Sequence, residues 1–392
     1  MTDEFPEPVE DVEKVQPEEL RDKVEAGEDF VLLDVRAKNE HEEWAIELEE
    51  GDSYNYPYFE LLDGLTEELR DKLRDEKRDI IVVCAKGGSS EYIASIIKQE
   101  LDKDAKNLAE GMNGWAKIYE SNKLQLENGE LVQYHRPSSG CLSYMVKSNG
   151  EAAVIDPLRA FANRYVEDAG DNTLKYAIDT HIHADHLSGV RKLEEIDDVI
   201  AVVPEAARGR NVTYIDDIKS IEDGETLNIG DIEIKAVHTP GHTTGMTSYM
   251  ADEEVLLTGD GLFIESVARP DLEKGDEGAE EQAGQLYESL QKKVLTLPDD
   301  MYVGAAHLSD GAEPVEKGLY MKTIGQIKED LEPLQLGKDE FVEYIISDMP
   351  PRPSNFEDII PTNKGEQEAS DEEAFEMELG PNNCAATKGK MD

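Results

Sequence analysis

The sequence predicts an α/β protein in two parts with a C-terminal extension, and three observations carry that prediction. Residues 10–124 alternate short apolar runs with amphipathic stretches, the pattern of strands and helices that share a parallel sheet. Residues 131–345 open on a hairpin signal and then mix strands and helices less regularly, which predicts mixed sheets covered by helices. Residues 346–392 begin rich in proline and turn acidic, so 366–378 is expected to be a solvated, mobile tail. At 392 residues the chain is long enough for two or three such units, each with its own core.

In order along the chain, Pro17 opens a helix predicted over 17–24, where its missing N–H costs nothing. Phe30-Val31-Leu32-Leu33-Asp34-Val35 and Ile80-Ile81-Val82-Val83 read as buried strands. Between them Leu65, Leu69 and Leu73 recur at spacing four and predict an amphipathic helix. A loop after Val83 leads to a helix expected over 91–101, and Trp44 and Trp115 are assigned to the core. The polar stretch 123–129 is expected to connect the two parts. Beyond it, strands over 142–146 and 151–155 flank Ser148-Asn149-Gly150, a turn. Further strands are expected around Tyr176, Val199, Ile232, Thr247, Val255 and Tyr302. There is no internal repeat.

Charge narrows the possible partners. Lysine and arginine total 39 against 89 aspartates and glutamates, a net charge of −50 and a pI near 4.3. That excess excludes nucleic acid and anionic membranes as partners, and its self-repulsion would strain a fold in dilute buffer. At about 1 M salt the Debye length falls to roughly 3 Å, so the composition predicts a salt-adapted, halophile-type cytoplasmic protein. Three widely spaced cysteines imply no disulfide framework. Cys141 and Cys384 are assigned structural roles. Neither a signal peptide nor a membrane span is expected, and association into a homo-oligomer is left open.

Five of the eight histidines fall in one series: His181-Ile182-His183-Ala184-Asp185-His186, then His242, with Asp260 between it and His307. Each closes an apparent strand or opens a loop. His242 lies in the Gly/Pro-rich loop Thr239-Pro240-Gly241-His242-Thr243-Thr244-Gly245. Imidazole nitrogens and carboxylate oxygens converging from strand ends predict a site for zinc, iron or manganese.

Together the segments Thr180-His181-Ile182-His183-Ala184-Asp185-His186, His238-Thr239-Pro240-Gly241-His242-Thr243 and Thr258-Gly259-Asp260 resemble the metallo-β-lactamase superfamily over residues 131–345. That resemblance implies an αββα sandwich with the metal site along one edge of its sheets. In dinuclear members one ion takes the positions matching His181, His183 and His242. The other takes those matching Asp185, His186 and His307, with Asp260 bridging. Gly259-Asp260-Gly261-Leu262-Phe263-Ile264, Ala268-Arg269-Pro270-Asp271-Leu272, Met349-Pro350-Pro351-Arg352-Pro353-Ser354-Asn355-Phe356 and Pro361-Thr362-Asn363 are similar to the persulfide dioxygenase branch, whose relatives are the glyoxalase II enzymes. The branch implies a single Fe(II) at His181, His242 and Asp260, with possible second-site residues His183, Asp185, His186 and His307. It also implies that Arg269 holds the carboxylate of a thiol carrier. Ala268 stands where the branch carries glycine, and His307 follows Ala305-Ala306 and precedes Leu308-Ser309-Asp310, which leaves the carrier's identity open.

Asp34-Val35-Arg36, with Glu40 and His41 close by, resembles the opening motif of rhodanese-like domains. Ile81-Val82-Val83-Cys84-Ala85-Lys86-Gly87-Gly88-Ser89-Ser90 resembles their active loop, and Asn113-Gly114-Trp115 their closing segment. Cys84 ends a buried strand before a helix N-terminus, where N–H groups favour a thiolate or persulfide. Gly87 and Gly88 let the backbone curl around that sulfur, Ser89 or Ser90 is expected to cap the helix, and Lys86 to hold an anionic donor. Ser89 replaces the family's usual arginine.

The resemblances imply an enzyme that oxidises a low-molecular-weight persulfide to sulfite with O₂ at mononuclear Fe(II), coupled to sulfur transfer that links persulfide to sulfite or thiosulfate. Cys84 and Asp185 are the expected catalytic residues, and Lys86, Gly87, Gly88 and Arg269 the expected substrate-binding ones. The alternative is a glyoxalase II-like (hydroxyacylglutathione hydrolase type) thioester hydrolase, with a dinuclear zinc or iron site. A third possibility is a sulfur-binding module whose metal is structural.

Overall fold

The structure is a computed structural model that describes residues 7–8, 10–308, 312–315, 318–347, 349–353, 355–380 and 384–385. Ser309, Asp310 and Ser354 of the sequence motifs lie outside the described residues.

The N-terminal unit is a five-stranded, wholly parallel sheet. Its strands are β1 (Lys14–Val15), β2 (Val31–Asp34), β3 (Asp52–Asn55), β4 (Ile80–Val83) and β5 (Ala105–Leu108), in the order β1-β5-β4-β2-β3. Side chains alternate across a strand. Val31, Leu33, Ile80 and Val82 therefore pack on one face, against Leu69 and Leu73 of the helix Glu67–Arg74 and Ile93 and Ile97 of the helix Gly88–Leu101. Leu32, Ile81 and Val83 pack on the other, against Leu20, Met112 and Trp115. Both faces are covered, which is why these strands read as unbroken apolar runs. Trp115 is buried, whereas Trp44 is half-buried and only packs against this core.

The second unit is two sheets packed face to face. The first holds β6 (Glu120–Leu126), β7 (Gly129–Arg136), β8 (Cys141–Ser148), β9 (Glu151–Ile155), β10 (Thr173–Ile178), β11 (Ile200–Pro204) and β12 (Lys219–Ile221), in sequence order across the sheet. The second holds β13 (Thr226–Ile229), β14 (Ile232–His238), β15 (Thr247–Ala251), β16 (Val255–Gly259), β17 (Tyr302–Ala305) and β18 (Lys322–Thr323), again in sequence order. Tyr144, Val146, Ile155 and Ile178 of one sheet meet Ile234, Ala236, Tyr249 and Leu257 of the other. Leu286 and Phe341, on the helices Gly275–Ser289 and Lys338–Ser347, cover the second sheet's outer face at Leu256 and Val303. The helices Ala162–Ala169 and Val190–Ile196 pack on β10 and β11 of the first. This is the αββα sandwich that the resemblance implied.

Three expectations are corrected. Residues 123–129 are not a connector but fall in the β6–β7 hairpin, paired Lys123↔Val132 and Leu124↔Leu131. Their polar residues are the solvent side of an edge strand whose exposure alternates along β6. The region 366–378 is not a loose tail. Ser370 and Glu373 form a capping box on the helix Asp371–Met377, and Ala374 joins Leu187 and Ile359 in a small apolar cluster. The helix after Cys84 begins at Gly88 rather than 91, because Gly87 at φ +92° makes the turn.

Candidate metal centre

Five strand ends bring the chemistry together. Asp156 follows β9, Asp179 to His186 follow β10, His242 lies in the loop after β14, Asp260 follows β16, and His307 comes two residues after β17. Gly259 precedes Asp260 at φ +53°, and a Cβ there would lie 2.2 Å from Met246 Cε and 2.5 Å from Thr180 Oγ1. Only glycine fits that corner.

His181, His242 and Asp260 converge. His181 Nε2 and His242 Nε2 each lie 3.6 Å from Asp260 Oδ2, all three side chains are buried, and none of these three atoms has a hydrogen-bond partner among the described residues. Unpartnered buried polar atoms are costly, so a trio aimed at one point fits a cation. The rings are held in the tautomer that such a role needs. The Arg269 carbonyl can only accept, so His242 Nδ1 donates to it (2.9 Å) and Nε2 keeps its lone pair. Thr180 Oγ1 donates to Asp156 Oδ2 (3.0 Å) and accepts from His181 Nδ1 (2.9 Å), leaving His181 Nε2 free as well. Burial and the neighbouring imidazoles hold His181 well below the usual histidine range, and burial lowers His242. Both are neutral, as ligands must be.

His307 is held between two carboxylates. Its Nδ1 bonds Asp260 Oδ1 at 2.5 Å, and its Nε2 lies against Asp185 Oδ2 in an ion pair outside hydrogen-bond geometry. Burial opposes its charge, but Asp185 and Asp260 outweigh burial and raise it well above the usual range. Burial raises Asp260 in turn, yet His307 holds it below the ordinary carboxylate range. His183 points elsewhere: its Nε2 lies 3.1 Å from Asp156 Oδ1, and its buried Nδ1 has no hydrogen-bond partner among the described residues.

The expected second site is built differently from its sequence pattern. Asp185, His186 and His307 form a group with Cys141, their donor atoms all within 4.8 Å of one another. Cys141 Sγ lies 3.6 Å from Asp185 Oδ2 and accepts from Ser139 Oγ at 3.0 Å. Cys384 forms a further group with Asp185, Asp260 and His307 on the same criterion. Both cysteines assigned structural roles are therefore at the metal centre. Burial with Asp185 and Asp260 keeps the Cys384 thiol well above its usual range, hence neutral.

Further residues support the site, and two of them, Asp156 and Glu378, carried no functional signal in the sequence. Asp156, at φ +51°, also accepts from Thr180 N (2.7 Å). Asn363 Nδ2 donates to the His183 and His186 carbonyls (3.0 and 2.8 Å), and its Oδ1 accepts from Ser188 N (2.9 Å). Glu378 accepts from Leu187 N at 2.8 Å. Asn363, just ahead of the acidic stretch, and Glu378, at the end of that supposed tail, clamp the histidine loop. Arg269 departs from expectation. Its guanidinium is buried and committed to Asp271 (2.7 and 3.0 Å) and the Pro351 carbonyl (2.8 Å), not open to a carrier carboxylate.

In the N-terminal unit Cys84 is buried at the end of β4. Gly87 N (3.1 Å) and Ser90 Oγ (3.0 Å) donate to its sulfur. Ser90 thus faces the thiol instead of capping the helix, and also reaches Asn107 Oδ1 at 2.7 Å. Gly88 and Lys86 are exposed at the loop surface. Asp34 is bonded by Arg36 (2.6–3.1 Å) and His41 (2.8 Å), which fixes the start of the loop after β2.

A family model of the metallo-beta-lactamase superfamily matches residues 137–307, and one of the rhodanese-like domain matches residues 16–118. The chain belongs to the metallo-β-lactamase superfamily, with a rhodanese-like domain ahead of the metal fold, and it is a metal-dependent enzyme of that superfamily. The mitochondrial persulfide dioxygenase ETHE1 of Bos taurus is 29% identical over 242 residues, 59% of this chain and 87% of the relative. The hydroxyacylglutathione hydrolase of Brucella ovis is 32% identical over 163 residues, 41% of this chain and 59% of that enzyme. Among solved structures, a metallo-beta-lactamase of Staphylococcus aureus subsp. aureus COL superposes with a TM-score of 0.53 at 27% identity, covering 60% of this chain and 72% of that one. ETHE1 from Myxococcus xanthus gives 0.51 at 26%, covering 59% and 96%. No helix among the described residues is long and apolar enough to cross a membrane.

Proposed function

We propose that the C-terminal unit is a persulfide dioxygenase that oxidises the terminal sulfur of a persulfide to sulfite, and that Cys84 of the N-terminal unit exchanges sulfane sulfur with the same pool. The observation that carries this reading is the trio His181 Nε2, His242 Nε2 and Asp260 Oδ2, unpartnered and 3.6 Å from nitrogen to oxygen. Two imidazoles and one carboxylate on a single face suit Fe(II), which would supply open positions for O₂ and a sulfur anion. Around it the chain's own groups orient and exclude. Thr180 and the Arg269 carbonyl hold the two imidazoles, and His307 fixes Asp260 through Oδ1 so that Oδ2 faces the histidines. Asp185 and the protonated His307 lie beside the open face as proton donors and acceptors. At Cys84, Gly87 N–H and Ser90 O–H would stabilise a persulfide anion, and exposed Lys86 would attract its donor.

A thioester hydrolase with two metal ions is the competing reading, and the Cys141, Asp185, His186 and His307 group favours it. There a bridging hydroxide would do the chemistry. Anaerobic purification in high salt, elemental analysis and oxygen uptake separate the two. One iron per chain with persulfide-dependent uptake is expected. Two metals with thioester cleavage and no uptake would overturn the proposal, and metal without turnover would leave only a structural centre.

A further inference from the structure

We propose that Cys384 is the thiol on which sulfane sulfur is presented to the metal centre, so that the immediate substrate is a persulfide of this chain itself. The inference rests on the dioxygenase reading and adds the identity of the sulfur carrier. Two of the chain's three cysteines lie at the site, but they differ in position. Cys141 groups with His186, away from Asp260. Cys384 groups with Asp260, Asp185 and His307, yet stands outside the His181, His242 and Asp260 trio. Its sulfur thus lies within 4.8 Å of a donor atom of Asp260, one of the three converging residues, without belonging to the trio itself. An S–S bond is about 2 Å long, so one added sulfur atom is comparable in reach with the separation between Cys384 and that carboxylate. Asp260 Oδ2 and Asp185 Oδ1, on two buried carboxylates of the Cys384 group, have no hydrogen-bond partner among the described residues.

The backbone supports the same assignment. Arg269 N donates to the Cys384 carbonyl at 3.2 Å, and Ala268 bridges Ala385. The segment expected to hold a free thiol carrier through its arginine thus holds the chain's own cysteine through its amide, with the guanidinium engaged by Asp271. An isolated bridge is a short link to open, which gives the buried thiol a way to meet a donor.

The chemistry balances. In the loading step Cys384–SH and R–S–SH give Cys384–S–SH and R–SH. The bond from Cys384 Sγ to the outer sulfur forms, the R–S–S bond breaks, and the thiol proton passes to the departing R–S⁻ with no net oxidation. In the oxidation step Cys384–S–SH, O₂ and H₂O give Cys384–SH, SO₃²⁻ and two protons. The sulfane sulfur loses four electrons and O₂ gains them.

The test uses full-length, iron-loaded protein and glutathione persulfide. Without O₂, mass spectrometry of the Cys384 peptide is expected to show one added sulfur atom. Admitting O₂ should remove it and release an equal amount of sulfite. Cys384→Ser should lower persulfide-dependent oxygen uptake at least tenfold with iron content unchanged. If Cys384 never gains sulfur, or Cys384→Ser and wild type take up oxygen equally, this inference falls and the dioxygenase reading stands. If wild type takes up no oxygen with the persulfide, the dioxygenase reading falls and this inference with it.

Discussion

The two regions for which sulfur chemistry is proposed are built on opposite plans. At Cys84 both hydrogen bonds to the thiol come from Gly87 and Ser90, within six residues of it. At the candidate metal centre the overlapping groups of donors come from Cys141, His181, Asp185, His186, His242, Asp260, His307 and Cys384, and their supports from Asp156 and Asn363. A local loop needs only its strand and helix to be in place. A centre assembled from residues as far apart as Cys141 and Cys384 depends on the packing of two sheets and on a C-terminal clamp. The first should tolerate damage elsewhere in the fold, and the second should not.

The comparison can be broken most directly at the two centres themselves. His242→Ala removes one of three converging donors, so metal affinity should fall by more than the ~10–100-fold typical of outer partners. Elemental analysis after dialysis would show it, and retained iron would refute the donor assignment. Cys84→Ser should abolish sulfur transfer while iron content stays whole. Persistent labelling of that variant by thiosulfate or persulfide would remove the carrier role.

Smaller perturbations sharpen the contrast. Gly259→Ala forces a Cβ into Met246 and Thr180 at a positive φ, and should cost about 2–4 kcal/mol of stability, measured by denaturant unfolding. Unchanged stability would mean that the β16 corner relaxes freely. Asn363→Ala leaves the His183 and His186 carbonyls without their shared donor, a loss of about 1–3 kcal/mol. Metal affinity should fall roughly tenfold with it, while Cys84 transfer is unmoved. If transfer drops equally, the two regions are not independent. Ser90→Ala, the mildest change, should slow sulfur transfer about tenfold, the weight of one hydrogen bond to a charged group, and spare oxygen uptake.

How much was legible follows the same division. The Cys84 loop was readable because its donors are contiguous; the start of its helix was placed three residues late, and the direction of Ser90 was misjudged, since a helix-capping and a sulfur-facing serine look alike in sequence. The five histidines and Asp260 were readable because each closes a strand. Asp156 was passed over because a lone aspartate after a hairpin strand carries no pattern. Asn363 was visible only as part of a family-like motif, with nothing to say which carbonyls it would hold, and Glu378 was hidden in an acidic stretch whose composition reads as solvated, yet that stretch packs through Ala374 on Leu187 and Ile359. Cys384, embedded among polar residues near the terminus, showed nothing of where it would lie.

The sequence by itself determined the two α/β units, the parallel and mixed sheets, and the residue types at the metal centre, because periodicity and strand-end placement are local properties. Only the tertiary structure decided which nitrogen of His181 and of His242 is free, that Arg269 is committed to Asp271, and that residues of the C-terminal extension brace the centre and place Cys384 near Asp260. Those outcomes depend on which groups meet after the sheets have packed, and hydrogen-bond partners drawn from distant segments leave no period in the chain.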